Sequence, residues 1–128
     1  ISKDAKIVYG KPTKSSKIEL SEFKKALLEE VDSFLDWFKD GSKRPSDYVY
    51  TAKHINNGFC GDFAHAIWEH FNRSDAIQAT DDEELGGREY THTFICFEER
   101  YYDAECVDGV DDWTQLPIFL DDNRAPQW

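Results

Sequence analysis

Three side chains that together could attack a carbonyl carbon stand in the order Cys60, His92 and Asp103. Cys60 begins "CGDFAHAIWEHF", a stretch with the apolar spacing of an amphipathic helix. Unpaired N–H groups and the partial positive charge at a helix N-terminus favour ionisation of a thiol placed there. The same N–H groups can hold the oxyanion that forms when a thiolate attacks an acyl carbon. A base and an orienting group must then come from elsewhere in the fold.

The base is expected on a β-hairpin. In "YTHTFICF", residues 90–97, strand alternation puts His92, Phe94 and Cys96 on one face and the intervening residues on the other. An imidazole is the side chain that most readily exchanges a proton near neutral pH. His92 is therefore the predicted base.

The orienting carboxylate depends on the length of the hairpin turn. If the turn contains Glu98 and Glu99 alone, or the four residues 98–101, Asp103 falls on the same face as His92. A three-residue turn would put Asp103 on the opposite face. With an even turn, Asp103 can fix the tautomer of His92 while the other ring nitrogen takes the thiol proton. That arrangement predicts a thiolate–imidazolium pair.

The segment "GFCGDFAHAI", residues 58–67, resembles the Gly-x-Cys-x-(Asp/Glu)-(Phe/Tyr)-Ala motif of bacterial transglutaminase-like proteins. The segment "HTFICFEERYYDAE", residues 92–105, is similar to the hairpin that follows in that family. The resemblance implies a papain-like or transglutaminase-like core with Cys60 as nucleophile, His92 as base and Asp103 as orienting carboxylate. The implied reaction is acyl transfer from an amide, through a thioester, to water or an amine. Protease, amidase or deamidase, and transglutaminase activities all remain open.

Four further residues are candidates for the oxyanion hole or the substrate wall. His54, Asn56 and Asn57 shortly precede Cys60, where a side chain could assist the oxyanion hole, although the two asparagines with Gly58 equally suit a turn. Phe94 stands where the family often has tryptophan, so the resemblance implies an aromatic wall without the indole donor.

The net charge of the chain disfavours some classes of binding partner. Twenty-six acidic and fifteen basic residues give a net charge of -11, which would repel nucleic acid and anionic lipid. No apolar run is long enough to span a bilayer, and "ISKDAKIVYG" at the start lacks the apolar centre of a secretion signal. A protein or peptide substrate is expected, with no membrane or nucleic-acid partner. The oligomeric state stays open.

The cysteine content points to a compartment. The three cysteines form an odd set without the spacing of a disulfide framework, which favours a reducing, cytoplasmic location. Because the chain begins with isoleucine, the sequence leaves open whether it is a fragment or has lost a leader.

The sequence predicts one α+β domain over residues 1–128, in which helices pack on a small antiparallel sheet and position these residues. Apolar residues at helical spacing from Leu20 to Phe38 predict the first helix, with Ser16 and Glu19 as a capping box and Gly41 after its end. Residues 41–58 contain several breakers and are expected to be mostly loop. The predicted elements are helices at about 17–39 and 60–72, strands at about 76–80, 90–97 and 101–107, and an irregular C-terminal tail.

Two other functions compete with catalysis. Cys60, His65, His92 and Asp103 include metal-ligand types, but no C-x-x-C or H-E-x-x-H spacing is present, so neither a metal nor a cofactor is expected. The main alternative is a catalytically inactive acidic protein-binding module with the same fold, and a metal-binding domain is the second alternative. The binding module would be favoured if an aromatic residue of the tail, namely Trp113, Phe119 or Trp128, plugged the groove over Cys60.

Overall fold

A computed structural model describes residues 6–9, 18–41, 45, 47–74, 76–81 and 92–120 of the chain. The described residues form helices and a sheet of five antiparallel strands in sequential order, as expected for an α+β fold. None of the helices in these ranges has the length and apolar character needed to cross a membrane. In chain order the elements are β1 (Lys6–Tyr9), α1 (Leu20–Gly41), α2 (Ala52–Asn56), α3 (Cys60–His70), β2 (Gln78–Asp81), β3 (Thr93–Phe97), β4 (Arg100–Asp103), β5 (Cys106–Val110), a 3₁₀ turn (Trp113–Gln115) and α4 (Pro117–Leu120).

A two-residue turn joins β3 and β4. Phe97 pairs with Arg100, and the residues between them, Glu98 and Glu99, have φ angles of 52° and 62°. Two successive left-handed residues are typical of the hairpin turn whose twist matches that of the flanking strands. The shorter of the two even turns is therefore the one present, and it sets the register of the whole hairpin.

The strand predicted over residues 101–107 is wrong as a single element. The chain turns at Ala104 and Glu105, and Asp103 at the end of β4 pairs with Cys106 at the start of β5. Asp103 stabilises this turn, because its Oδ1 accepts the backbone N–H of Glu105 at 2.9 Å. Such a bond from an aspartate to the backbone two residues later competes with strand pairing.

The first helix is shifted relative to its prediction. α1 begins at Leu20, which is 55% exposed rather than part of the apolar stripe, and Gly41 is its last residue. Ala26 is buried together with Phe23. Ser16 of the predicted capping box lies outside the described residues.

The other boundaries differ in smaller ways. α3 ends at His70 because Asn72 and Arg73 adopt left-handed φ angles of 56° and 60°. The short helix α2 was not predicted, since residues 41–58 were expected to be mostly loop. The tail contains α4, whose first residue is Pro117, a position where the missing N–H costs no helical hydrogen bond.

The sheet has two differently covered faces. The helix face packs against α1 and α3 and carries an apolar core, whereas the opposite face, here called the cover face, is covered by the 3₁₀ turn and α4. Alternation along β3 sends its residues to the two faces in turn. The buried core of the helix face comprises Phe23, Leu27, Ile55, Phe63, Ala64, Ile67, Ile77, Ala79, Ile95, Phe97, Tyr102 and Ala104, and that of the cover face comprises Phe94, Cys96, Tyr101 and Leu116.

Candidate active site

His92 and Asp103 form a buried ion pair. Nε2 of His92 lies 3.0 Å from Oδ2 of Asp103, and the two side chains are 0% and 2% exposed. The second carboxylate oxygen, Oδ1, accepts the backbone N–H of Glu105. Asp103 is therefore fixed through both oxygens, and the orientation of the imidazole is fixed with it.

The hairpin register explains how this pair forms. Ile95 pairs with Tyr102, so Asp103 lies across from Phe94 and diagonal to His92. His92 precedes β3 by one residue, at the end of the sheet where α3 begins. The expectation that an even turn would put the carboxylate within reach of the imidazole is borne out by their contact.

Cys60 is the first residue of α3 and faces the start of β3. Its Sγ accepts the backbone N–H of Thr93, the residue next to His92, at 3.4 Å, and the imidazole of His92 is near enough to lower the pKa of the thiol. Because Nε2 of His92 contacts Asp103, a proton exchanged with the thiol would have to pass through Nδ1. Gly58, with a φ of 110°, makes the turn that leads into α3, a conformation that strongly favours glycine.

The charges of the site favour an ionised thiol. Burial alone would raise the pKa of Cys60, but the neighbouring imidazole of His92 and the N–H groups of Thr93 and Gly61 outweigh it and lower the pKa below that of an ordinary thiol. Burial alone would likewise lower the pKa of His92, yet the bonds and charges of Asp103 and Cys60 raise it to about 9. Both shifts favour the thiolate–imidazolium pair.

His54 lies in the cap of α2. Its Nδ1 accepts the backbone N–H of Thr51 at 3.0 Å, and its Nε2 lies 3.0 Å from the hydroxyl of Tyr48. Both ring nitrogens are thus engaged in holding the short helix, and the structure does not bring His54 together with the three residues of the site.

The two asparagines have separate positions. Asn56 is buried, and its Nδ2 donates to Oε2 of Glu105 at 2.7 Å, which ties the end of α2 to the turn that holds Asp103. Asn57 is exposed and lies in the turn directly after α2, as the turn alternative expects. Neither amide is seen in contact with Cys60.

Phe94 forms a wall behind the imidazole. It is fully buried, its ring centroid lies 6.1 Å from that of His92, and the ring of Trp113 stacks on it at 6.1 Å. Phe119 of α4 also meets His92, with centroids 5.7 Å apart and the rings 74° from parallel. The tail therefore covers the histidine, while Cys60 stays partly exposed. Trp128 lies outside the described residues.

Sequence reasoning missed three contributors. The backbone N–H of Thr93 binds the sulfur, the backbone N–H of Glu105 binds the carboxylate, and the side chain of Glu105 binds Asn56. The "DAE" run at 103–105 carries a signal for the second contact, because aspartate often bonds the backbone two residues later. The long-range bond between Asn56 and Glu105 has no local signal.

The remaining groups that were considered lie apart from this site. Cys96 and Cys106 are strand residues, and all three cysteines are free thiols. His65 is exposed on α3 and lies 3.2 Å from Glu69. Within the ranges that the structure describes, no three His, Cys, Asp or Glu side chains are grouped as a metal site requires.

Comparisons of the chain with protein-family models, curated proteins and solved structures found no match. The function must therefore be inferred from the geometry of Cys60, His92 and Asp103.

Proposed function

We propose that the protein is a cysteine-dependent acyl-transfer enzyme that acts on an amide of a protein or peptide through a Cys60–His92–Asp103 triad. The carrying observation is that the sulfur of Cys60 binds the backbone N–H of Thr93, directly beside His92, whose imidazole contacts the buried carboxylate of Asp103. A structural cysteine needs no such partner, since free cysteines usually pack as small apolar residues.

The proposed first step forms a thioester. The Cys60 thiolate attacks the acyl carbon and forms a C–S bond, and the carbonyl oxygen becomes an oxyanion facing the first N–H groups of α3. His92, protonated at Nδ1, donates this proton to the amide nitrogen as the C–N bond breaks. Asp103 holds the ring in the required orientation and stabilises its positive charge.

The second step releases the acyl group. Water or an amine attacks the thioester carbon while Nδ1 of His92 accepts a proton from the attacking group. The C–S bond breaks, and the electron pair returns to the sulfur as thiolate. Water gives hydrolysis or deamidation, and an amine gives a crosslink.

The proposal includes a transglutaminase-like core. Its support is the order of the three residues and the packing of a helix that begins at its cysteine against an antiparallel sheet that carries the other two. Exposure also supports it, because Cys60 is partly exposed whereas His92 and Asp103 are buried.

Trapping by an electrophilic peptide library, followed by mass spectrometry, tests the proposal. We expect stoichiometric modification at Cys60, at least tenfold slower modification in His92→Ala, and none at that position in Cys60→Ser. Cys96 and Cys106 serve as internal controls, because burial raises the pKa of each thiol. Equal rates at Cys60 with and without His92 would contradict the proposal.

A second candidate function is a binding module of the same fold without turnover. The observation that favours it is the full burial of His92 beneath Phe119. If the protein is an enzyme, Cys60 should still be acylated by substrate in Phe119→Ala. If it is a binding module, both wild type and Phe119→Ala should bind peptides reversibly and form no thioester. Detection of an acyl adduct on Cys60 with an unactivated amide would decide for the enzyme.

A further inference from the structure

An open groove lies between α1 and the first turn of α3. Its volume is about 280 Å³. One wall is formed by Phe59, the residue immediately before Cys60, so the groove lies at the start of the helix that carries the proposed nucleophile. The described residues that line it are Glu30, Ser33, Phe34, Trp37, Phe59 and Asp62.

Two aromatic rings form a corner in this groove. The centroids of Trp37 and Phe59 lie 5.7 Å apart, and the rings are 77° from parallel. Trp37 is 58% exposed, which is unusual for the largest apolar side chain. The electron-rich face of an indole attracts cations, and two rings at a right angle can enclose one from two sides.

Two carboxylates share the groove with the rings. Glu30 projects from α1 and Asp62 from the first turn of α3. Neither forms a salt bridge with any residue in the part of the chain that the structure describes. An apolar or anionic occupant would leave these charges desolvated or repelled, while a cation would compensate them.

We propose that this groove binds the cationic side chain of a lysine or arginine in the polypeptide whose acyl group reaches Cys60. The proposal rests on the acyl-transfer function and names a substrate class for it. A basic segment also complements the net charge of -11, which would draw such a partner toward the protein.

The helix geometry sets the spacing between the cation and the reactive residue. Asp62 lies about 200° around α3 from Cys60, at about 100° per residue, so the groove and the sulfur lie on different sides of the first turn. A helix with side chains is about 10–12 Å across, and an extended peptide covers this distance in about three residues. The basic residue is therefore expected about three positions from the acyl residue.

Binding can be measured without turnover in Cys60→Ser. Labelled peptides carrying arginine at each position from two to four residues on either side of the acyl residue are compared by fluorescence anisotropy with peptides carrying citrulline there. Lysine and norleucine form a second pair. We expect about tenfold weaker binding when the charge is removed at the matching position, for both pairs.

Variants locate the interaction. Trp37→Ala and Asp62→Asn in the Cys60→Ser background should each weaken binding of the charged peptide several-fold and leave the neutral peptide unaffected. Asp32→Asn is the control for Asp62→Asn, because it makes the same change outside the groove. Asp32 is exposed on α1 and lies about 200° around the helix from Glu30, which lines the groove. Far-ultraviolet circular dichroism checks that each variant is folded.

Failure of this inference can be separated from failure of the acyl-transfer function. Equal affinity for charged and neutral peptides, or an equal loss in Asp32→Asn, overturns the cation groove even if Cys60 is acylated. Charge-dependent binding that is lost in Trp37→Ala supports the groove even if Cys60 never forms an adduct.

Discussion

The two faces of the sheet bury different kinds of side chain, and Cys60 reaches the charged pair of the cover face at the end of the sheet. On the helix face, Phe23 stacks on Phe97 with centroids 4.1 Å apart and meets the edge of Tyr102 at 5.0 Å, within a layer of apolar side chains. The cover face has a smaller buried core and carries the ion pair of His92 and Asp103. A buried ion pair seldom stabilises a fold as well as apolar packing does. The apolar layer therefore supplies most of the packing, and the cover face carries the costlier charged pair.

One strand supplies both layers. Ile95 and Phe97 point to the helix face, while Phe94 and Cys96 point to the cover face. Substitutions on the two sides should consequently separate into two classes, one that mainly changes the free energy of unfolding and one that mainly changes reactivity.

The largest effect is expected at Asp103. Asp103→Asn keeps an oxygen for the N–H of Glu105 but removes the charge that stabilises the His92 imidazolium, and we expect acyl transfer to fall by about 10⁴-fold. Single-turnover acylation of Cys60 measures this. The matched control is Asp108→Asn, a highly exposed aspartate on β5, which should change the rate less than twofold. If the acylation rate fell equally in both variants, the effect of Asp103→Asn could not be attributed to the buried ion pair rather than to the loss of any negative charge.

A second variant tests the helix face. Phe97→Ala removes a fully buried ring and should lower the free energy of unfolding by about 3–5 kcal/mol. Chemical denaturation measures this loss. The acylation rate per folded molecule should stay within about threefold of wild type, because Phe97 points away from His92. A rate loss comparable to that of Asp103→Asn would show that the two faces are not separable.

The pH profile should be bell-shaped. On the acid side, reactivity falls as the Cys60 thiolate takes up a proton, with a midpoint below the ordinary thiol pKa because the pKa of Cys60 is lowered. On the alkaline side, it falls as His92, whose pKa is raised to about 9, loses the proton needed by the leaving amine. The initial rate of acylation against pH measures both limbs. A rate that rises steadily through pH 10 would contradict the role of His92 as acid.

The smallest effect is expected at Glu105, which joins the two regions. Glu105→Ala leaves the buried Nδ2 of Asn56 without its acceptor and should cost about 1–3 kcal/mol of unfolding free energy. The bond from its backbone to Asp103 remains, so reactivity should fall by no more than about tenfold. Glu105→Gln keeps an acceptor oxygen and should restore most of both losses. If glutamine fails to restore stability, the contact with Asn56 is not the source of the effect.

The sequence predicted the parts of the site that follow local rules. Strand alternation and an even turn were enough to put Asp103 near His92, and apolar spacing located the helix that begins at Cys60. The number of turn residues stayed open because Glu98 and Glu99 adopt left-handed angles without the glycine or asparagine that usually marks them. The position of Phe119 against the imidazole depends on tertiary packing, which no local pattern encodes.

Titration of the Cys60 thiol tests the central claim most directly. The thiolate absorbance near 240 nm, taken as the difference between wild type and Cys60→Ser, follows ionisation at this one position across pH. We expect an apparent pKa clearly below that of a free thiol in wild type and a rise of at least one unit in His92→Gln. A midpoint at or above the free-thiol value, unchanged when His92 is replaced, would contradict the thiolate–imidazolium pair.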